Sequence, residues 1–162
     1  MVSILKTDKI QASHGTNIEI PSGHVLQAPG HVIQVLSAGM NTSKSTTSTS
    51  FVTTTHSVTI TPKHINSKIF LNVSGGAWYI NGNSTWCTIY RDSTNLGDST
   101  YGLTQNSQVG YIPHSFSFVD SPATTSSTTY EVYFRVSNSA NTTYYAYPDY
   151  GTVTLTVMEI AQ

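Results

Sequence analysis

Apolar and polar residues alternate with period two along most of the chain after Gly30, the pattern of half-buried strands. Val52, Thr54, His56, Val58 and Ile60 share one face of a run that Pro62 ends, because proline cannot donate to a ladder. Ile69, Leu71 and Val73 share a face of the next run, and Gly75-Gly76 predicts a bulge or bend before Ala77-Trp-Tyr-Ile. Phe116 and Phe118 fall together with Ile112 in a strand placed over 109–119, and Tyr130, Val132, Phe134 and Val136 line one face of another. Val153, Leu155 and Val157 close the chain. Together with runs starting at His31 and Trp86 and a short strand near Tyr101–Leu103, the count is about eight strands. The core expected from this alternation is Val58, Ile60, Ile69, Leu71, Phe116, Phe118, Val132, Phe134, Leu155 and Val157.

Between the strands stand turn signals. Asn81-Gly82 accepts the positive φ of a hairpin turn, so Ile80 and the run from Trp86 are expected to be hairpin partners, with Trp78 and Trp86 packing across it. Residues 41–50 form a Ser/Thr stretch with no apolar residue, expected as a solvated loop. Residues 1–30 are different. Ile4, Leu5, Ile10, Ile18 and Ile20 are scattered among glycines and prolines too frequent for a packed sheet, which predicts an extended arm with short strands near 17–20 and 25–26. The fold class is therefore all-β: an antiparallel jelly-roll β-sandwich over 31–162 with an extended N-terminal arm over 1–30. An immunoglobulin-like sandwich is the competing architecture.

Composition sharpens this picture. Charged residues are only 9% of the 162 positions, while Ser and Thr supply more than a quarter, a balance that favours sheet over helix. Seven basic and eight acidic residues, spread singly, leave a net charge of −1 and no basic footprint for nucleic acid. No apolar run is long enough for a membrane-spanning helix, and the N-terminus lacks the apolar stretch of a signal peptide. So few charges leave apolar surface unprotected in a free monomer, which points to a chain that works assembled.

Several of these segments resemble a module of bacteriophage virion proteins, especially those of marine and cyanobacterial phages. The resemblance rests on Val58-Thr-Ile-Thr-Pro-Lys, Ser67-Lys-Ile-Phe-Leu, Thr88-Ile-Tyr-Arg-Asp-Ser-Thr-Asn-Leu-Gly, Phe116-Ser-Phe-Val-Asp-Ser-Pro and Thr154-Leu-Thr-Val-Met-Glu-Ile-Ala. The opening Ser3-Ile-Leu-Lys-Thr-Asp-Lys-Ile-Gln with Ile20-Pro-Ser-Gly is similar to the attachment segment of such proteins. The resemblance implies a trimeric jelly-roll appendage of the virion. The expected function is a non-enzymatic short tail fibre or similar appendage that binds other virion proteins through the arm, and possible contact with a host-surface glycan. A capsid decoration or cement protein is the alternative, and a free carbohydrate-binding lectin a third.

Candidate chemistry is thin. The six histidines, His14, His24, His31, His56, His64 and His114, show no paired ligand spacing, so no metal or cofactor is expected. Asp92 with Asp98, and Asp120 with Glu131, are the nearest approach to a hydrolytic carboxylate pair; turn formation by the aspartates explains the first better. Glu131 and Arg135 alternate on the face opposite Val132 and Phe134, as a solvent or subunit-contact pair. Cys87, alone, reads as a small core residue. The remaining signal is aromatic: Tyr144, Tyr145, Tyr147 and Tyr150 crowd into seven residues, and consecutive Tyr144 and Tyr145 must point to opposite faces. They are candidates for ligand or subunit contact, or for filling a seam or core; Ile4, Leu5, Ile10, Ile18 and Ile20 are candidates for anchoring to the particle.

Overall fold

The computed structural model describes residues 28–82, 84–113 and 115–162. The arm's candidate anchors Ile4, Leu5, Ile10, Ile18 and Ile20 lie outside the described residues, as do His14, His24 and His114. All regular structure described is antiparallel strand apart from a single 3₁₀ turn at Pro148–Tyr150.

The strands are β1 (Val32–Met40), β2 (Lys44–Thr46), β3 (Val52–Ile60), β4 (Lys68–Ser74), β5 (Ala77–Ile80), β6 (Thr85–Arg91) and β7 (Thr94–Asn95). They continue with β8 (Thr104–Asn106), β9 (Gly110–Pro113), β10 (Phe116–Asp120), β11 (Thr128–Val136), β12 (Thr143–Tyr145) and β13 (Val153–Ile160). One sheet has the order β1-β13-β4-β10, and a second has β2-β12-β5-β9. The two orders match segment for segment, since β1 leads to β2, β4 to β5, β9 to β10 and β12 to β13. They are two halves of one layer, broken across its width. A third sheet, β3-β11-β6-β7 with β8 also on β6, packs against the inner face of that layer.

The break explains why thirteen strands replace the expected eight or so. Gly75 and Gly76, with φ of +83° and +57°, turn the chain between β4 and β5. A Cβ on Gly75 would stand 2.6 Å from the Thr152 carbonyl oxygen, and one on Gly76 2.7 Å from Val153 Cγ2, so only glycine lets the segments cross this closely. The strand expected over 109–119 is likewise divided into β9 and β10.

Inside the sandwich, alternation predicts burial well. Val58, Ile60, Ile69, Leu71, Val132, Phe134, Leu155 and Val157 are all buried. Phe116 and Phe118 are the exception: β10 is an edge strand, so they reach the core only from its margin and stay half-buried. Cys87 is a core residue whose thiol lies 3.0 Å from the Tyr133 carbonyl oxygen.

Three further expectations fail. The Asn81-Gly82 turn does take a positive φ, +82° at Gly82, but the strands it joins are not partners: β5 pairs with β9 and β12, β6 with β7, β8 and β11. The turn carries the chain from one layer to the other, because both strands find longer ladders elsewhere. Trp78 therefore packs edge-on to Tyr145, 4.9 Å between centroids, and not against Trp86. The Ser/Thr stretch 41–50 contains β2, half-buried at Lys44 and Thr46, because pairing with β12 satisfies its backbone.

Two carboxylates, Glu159 and Asp120, are buried, and both are compensated. The Glu159 side chain is fully enclosed and accepts hydrogen bonds from Gln34 Nε2, Ser67 Oγ (2.7 Å) and the Lys63 and His64 amides (2.7 and 3.3 Å). Burial alone would raise its carboxyl, but these four donors hold it below its usual value of 4.5. It fastens the 62–67 connection to β13. Asp120 accepts both contacts of the Arg91 guanidinium at 2.9 Å and the Tyr130 hydroxyl at 2.8 Å, tying β10 to the opposite sheet.

Candidate functional site

Cross-strand register in the half-sheet β2-β12-β5-β9 builds the main candidate. Tyr144 of β12 stands directly opposite Tyr79 of β5, and Tyr79 opposite Tyr111 of β9, so three rings line up across the outer face. Tyr79 lies 4.7 Å from Tyr111 and 5.7 Å from Tyr144 by ring centroid.

Two more rings come from the turn after β12. In an unbroken strand, Tyr147 would follow Tyr145 to the inside. Ala146 instead adopts φ +54°, uncommon for a residue with a Cβ, and this shifts the alternation by one step. Tyr147 consequently emerges beside Tyr144 (5.9 Å) and Tyr111 (5.0 Å), its amide bonded to the Ala77 carbonyl at 3.0 Å. Tyr150, at the end of the 3₁₀ turn, stacks on Tyr111 at 4.1 Å and 16°. Tyr111 and Tyr150 are 41% and 49% exposed; the other three rings are half-buried among their neighbours.

The platform is neutral. Of the segments that carry it, only Asp149 is charged. A hydrogen bond to the Tyr147 phenol pushes Tyr111 up to about 12, with burial and the neighbouring phenols adding to the effect. Tyr111 is therefore uncharged near neutral pH. What the rings can do is supply broad, rigid, amphipathic contact, with phenol tips for hydrogen bonding.

Of the four tyrosines expected together, Tyr145 departs from the group. It is completely buried, beneath the platform and against the third sheet, with Phe134 at 6.1 Å and Trp78 at 4.9 Å. Its hydroxyl lies 2.6 Å from His56 Nδ1, while His56 Nε2 lies 2.8 Å from the Ala38 carbonyl oxygen. Because the carbonyl can only accept, Nε2 carries the proton and Nδ1 accepts from the phenol. His56 thus joins β3 to β1 and β12, and burial lowers its pKa from 6.5. Tyr79 and Tyr111 were missed by the sequence reading, since each is an isolated tyrosine far along the chain; period-two placement of Tyr79 opposite buried Trp78 was the available signal.

The other chemistry-bearing residues have structural partners. Asp98 accepts the Thr100 and Tyr101 amides at 2.7 Å each, as a turn-former does, and Asp92 accepts the Thr129 amide at 2.9 Å. Asp120 and Glu131 do not face one another: Asp120 serves Arg91, and Glu131 accepts from the Thr53 hydroxyl. Nor are Glu131 and Arg135 a pair. Arg135 lies over the Trp86 ring. His31 is exposed beside the start of β1.

No protein-family model matches this chain, and no curated protein is similar to it.

Proposed function

We propose that this chain is a non-enzymatic structural protein of a bacteriophage virion: a homotrimeric short tail fibre or similar appendage, joined to the particle by residues 1–30 and carrying a surface for host contact. The reading keeps the jelly-roll architecture. Its support is the lateral order of the strands, in which the first and last runs are neighbours in one layer and the second and seventh in the other, as two wound Greek keys require.

The observation that carries the proposal is the tyrosine platform. Five rings on one neutral face, two of them more than two-fifths exposed, form a surface of the composition favoured at protein–protein interface centres. In the proposed trimer this face is the seam between subunits. Strand β1 supplies a second contact. It is an edge strand with Val32, Val35 and Leu36 exposed at 42%, 51% and 38%, and it begins where the arm joins the sandwich. An edge of this kind accepts an added strand, from the arm or from another virion protein.

Sedimentation equilibrium of the full chain tests the seam. The expected species has three times the 17.6 kDa chain mass, and Tyr111→Glu with Tyr150→Glu should reduce it to monomer. A wild-type monomer at micromolar concentration would defeat the proposal. Deleting residues 1–28 should leave the trimer intact and abolish its incorporation into particles. Normal incorporation of the truncated chain would refute the arm's role, and the location of the chain in particle density separates a tail appendage from the capsid-decoration alternative.

A further inference from the structure

Arg135 is held by carbonyl oxygens and aromatic rings, with no acidic partner among the described residues. It projects from the outer face of the third sheet, on the opposite side of the sandwich from the tyrosine platform, directly across from Trp86. Its guanidinium carbon sits 4.3 Å from the Trp86 ring centroid and 5.5 Å from that of Phe51. Nε donates to the Thr100 carbonyl oxygen at 2.9 Å, Nη2 donates to the same oxygen, and Nη1 donates to the Thr49 carbonyl oxygen. A guanidinium has five N–H groups, so these three bonds leave two unspent. Among the described residues the ion pair present is Arg91–Asp120, and Arg135 has no acid within reach. The two remaining N–H groups are open to a ligand's acceptor.

Beside the guanidinium is a depression of about 390 Å³, within the range of small-ligand sites. Its lining includes Arg135, Tyr90, Phe51, Ser50, Ser99 and Thr100. Hydrogen bonds and a ring stack tie the walls. Ser48 Oγ donates to the Ser50 carbonyl oxygen at 2.7 Å and accepts the Ser50 amide at 3.0 Å, while Asp98 fixes the 98–101 turn from the other side. Tyr90 is held by a stack on Tyr133, 4.0 Å and 25°.

The two ends differ in chemistry. Tyr90 pairs in register with Glu131, four positions along β11 from Arg135, which is about 13 Å at the usual strand rise. One end of the depression offers the Tyr90 ring and the other the Arg135 guanidinium, with Ser50, Ser99 and Thr100 also in its lining. We infer that this depression binds an acidic saccharide, a pyranose whose carboxylate takes the free N–H groups of Arg135 while its ring lies toward Tyr90. Apolar C–H faces suit the aromatic ring, and ring hydroxyls suit Ser50, Ser99 and Thr100. A bare inorganic anion would leave the aromatic end and the hydroxyl walls unused. A peptide would need apolar side-chain pockets, and Phe51 is already covered by Arg135. The inference names the ligand class for the host-contact part of the proposed function and rests on that reading for its biological setting.

The test is an NMR titration of the ¹⁵N-labelled full chain with D-glucuronate, D-glucose and inorganic sulfate. Glucuronate and glucose share a ring and differ in the carboxylate. Glucuronate should shift the amides of 49–51, 90 and 99–100 saturably and bind at least about tenfold tighter than glucose. Arg135→Lys keeps the charge but loses the planar fork, and should weaken glucuronate at least about fivefold. Ser99→Ala, remote from the core, should weaken it by about two- to threefold with the spectrum otherwise unchanged. Equal affinity for glucose and glucuronate, sulfate binding as tightly as glucuronate, or no saturable shift with any of the three would each overturn the inference. Since sedimentation reads the trimer independently, failure here leaves the appendage proposal standing or falling on its own test.

Discussion

Tyr144 and Tyr145 are neighbours in one short strand, yet they belong to regions with opposite demands. Below β12 and β5, Tyr145, Trp78 and His56 are enclosed, and the phenol is bound to an imidazole that in turn holds a backbone carbonyl of another strand. Above them, Tyr79, Tyr111, Tyr144, Tyr147 and Tyr150 contact mainly each other and solvent. The same side chain serves as a core polar bridge on one face and as open contact surface on the other. What separates the roles is which side of the pleat a position occupies, with Ala146 resetting the phase so that Tyr147 is added to the outer group. Tyrosine content alone is therefore a poor guide to recognition; its partition between faces is the informative quantity.

Substitutions can break this comparison from the inside outward. Tyr145→Ala should be the most damaging, removing a completely buried ring and costing about 3–5 kcal/mol in urea unfolding. Tyr145→Phe keeps the ring and removes only the hydroxyl, leaving His56 Nδ1 without its donor. A loss of about 1–3 kcal/mol is expected. A negligible loss would mean that the bridge adds nothing to stability.

Acidity probes the same bridge. His56 is buried and neutral, with a folded-state pKa below the ordinary 6.5, so the unfolded chain takes up its proton first. Stability from this site is complete above about pH 6.5 and lost as pH falls from there toward the lowered folded value. Glu159 acts in a separate window. Its stabilisation is present above 4.5 and disappears only as pH falls through its lowered folded value. The melting temperature should thus fall between about pH 7.5 and about pH 5.5, and His56→Gln should flatten that fall. An unchanged slope in the variant would assign the effect to another group.

The smallest stability effect is expected outside. Tyr111→Ala with Tyr150→Ala should change unfolding free energy of the isolated subunit by less than about 1 kcal/mol, because both rings are substantially exposed. Association in the proposed trimer should nonetheless weaken. If this pair costs as much stability as Tyr145→Ala, the outer rings are core and the contrast between the faces is false.

The strands and their faces were legible from residue order because burial on one side of a pleat imposes period two, and Ile69, Leu71, Val73, Val153, Leu155 and Val157 carry that period without interruption. The Gly75-Gly76 bend was legible too, since positive φ and close crossing demand glycine. Partner choice was not. Asn81-Gly82 specifies a turn, but whether the flanking strands pair depends on competing ladders far along the chain, and those won. The platform shows the same limit. Tyr144, Tyr147 and Tyr150 are close in sequence, whereas Tyr79 and Tyr111 join them only through the β12-β5-β9 register. Likewise Arg135 meets Thr49 and Thr100 because two loops fold over β11. Local patterning sets which way each side chain faces, because that is decided within a few residues; which side chains meet is decided by non-local pairing, where loop closure and the whole set of alternative ladders compete.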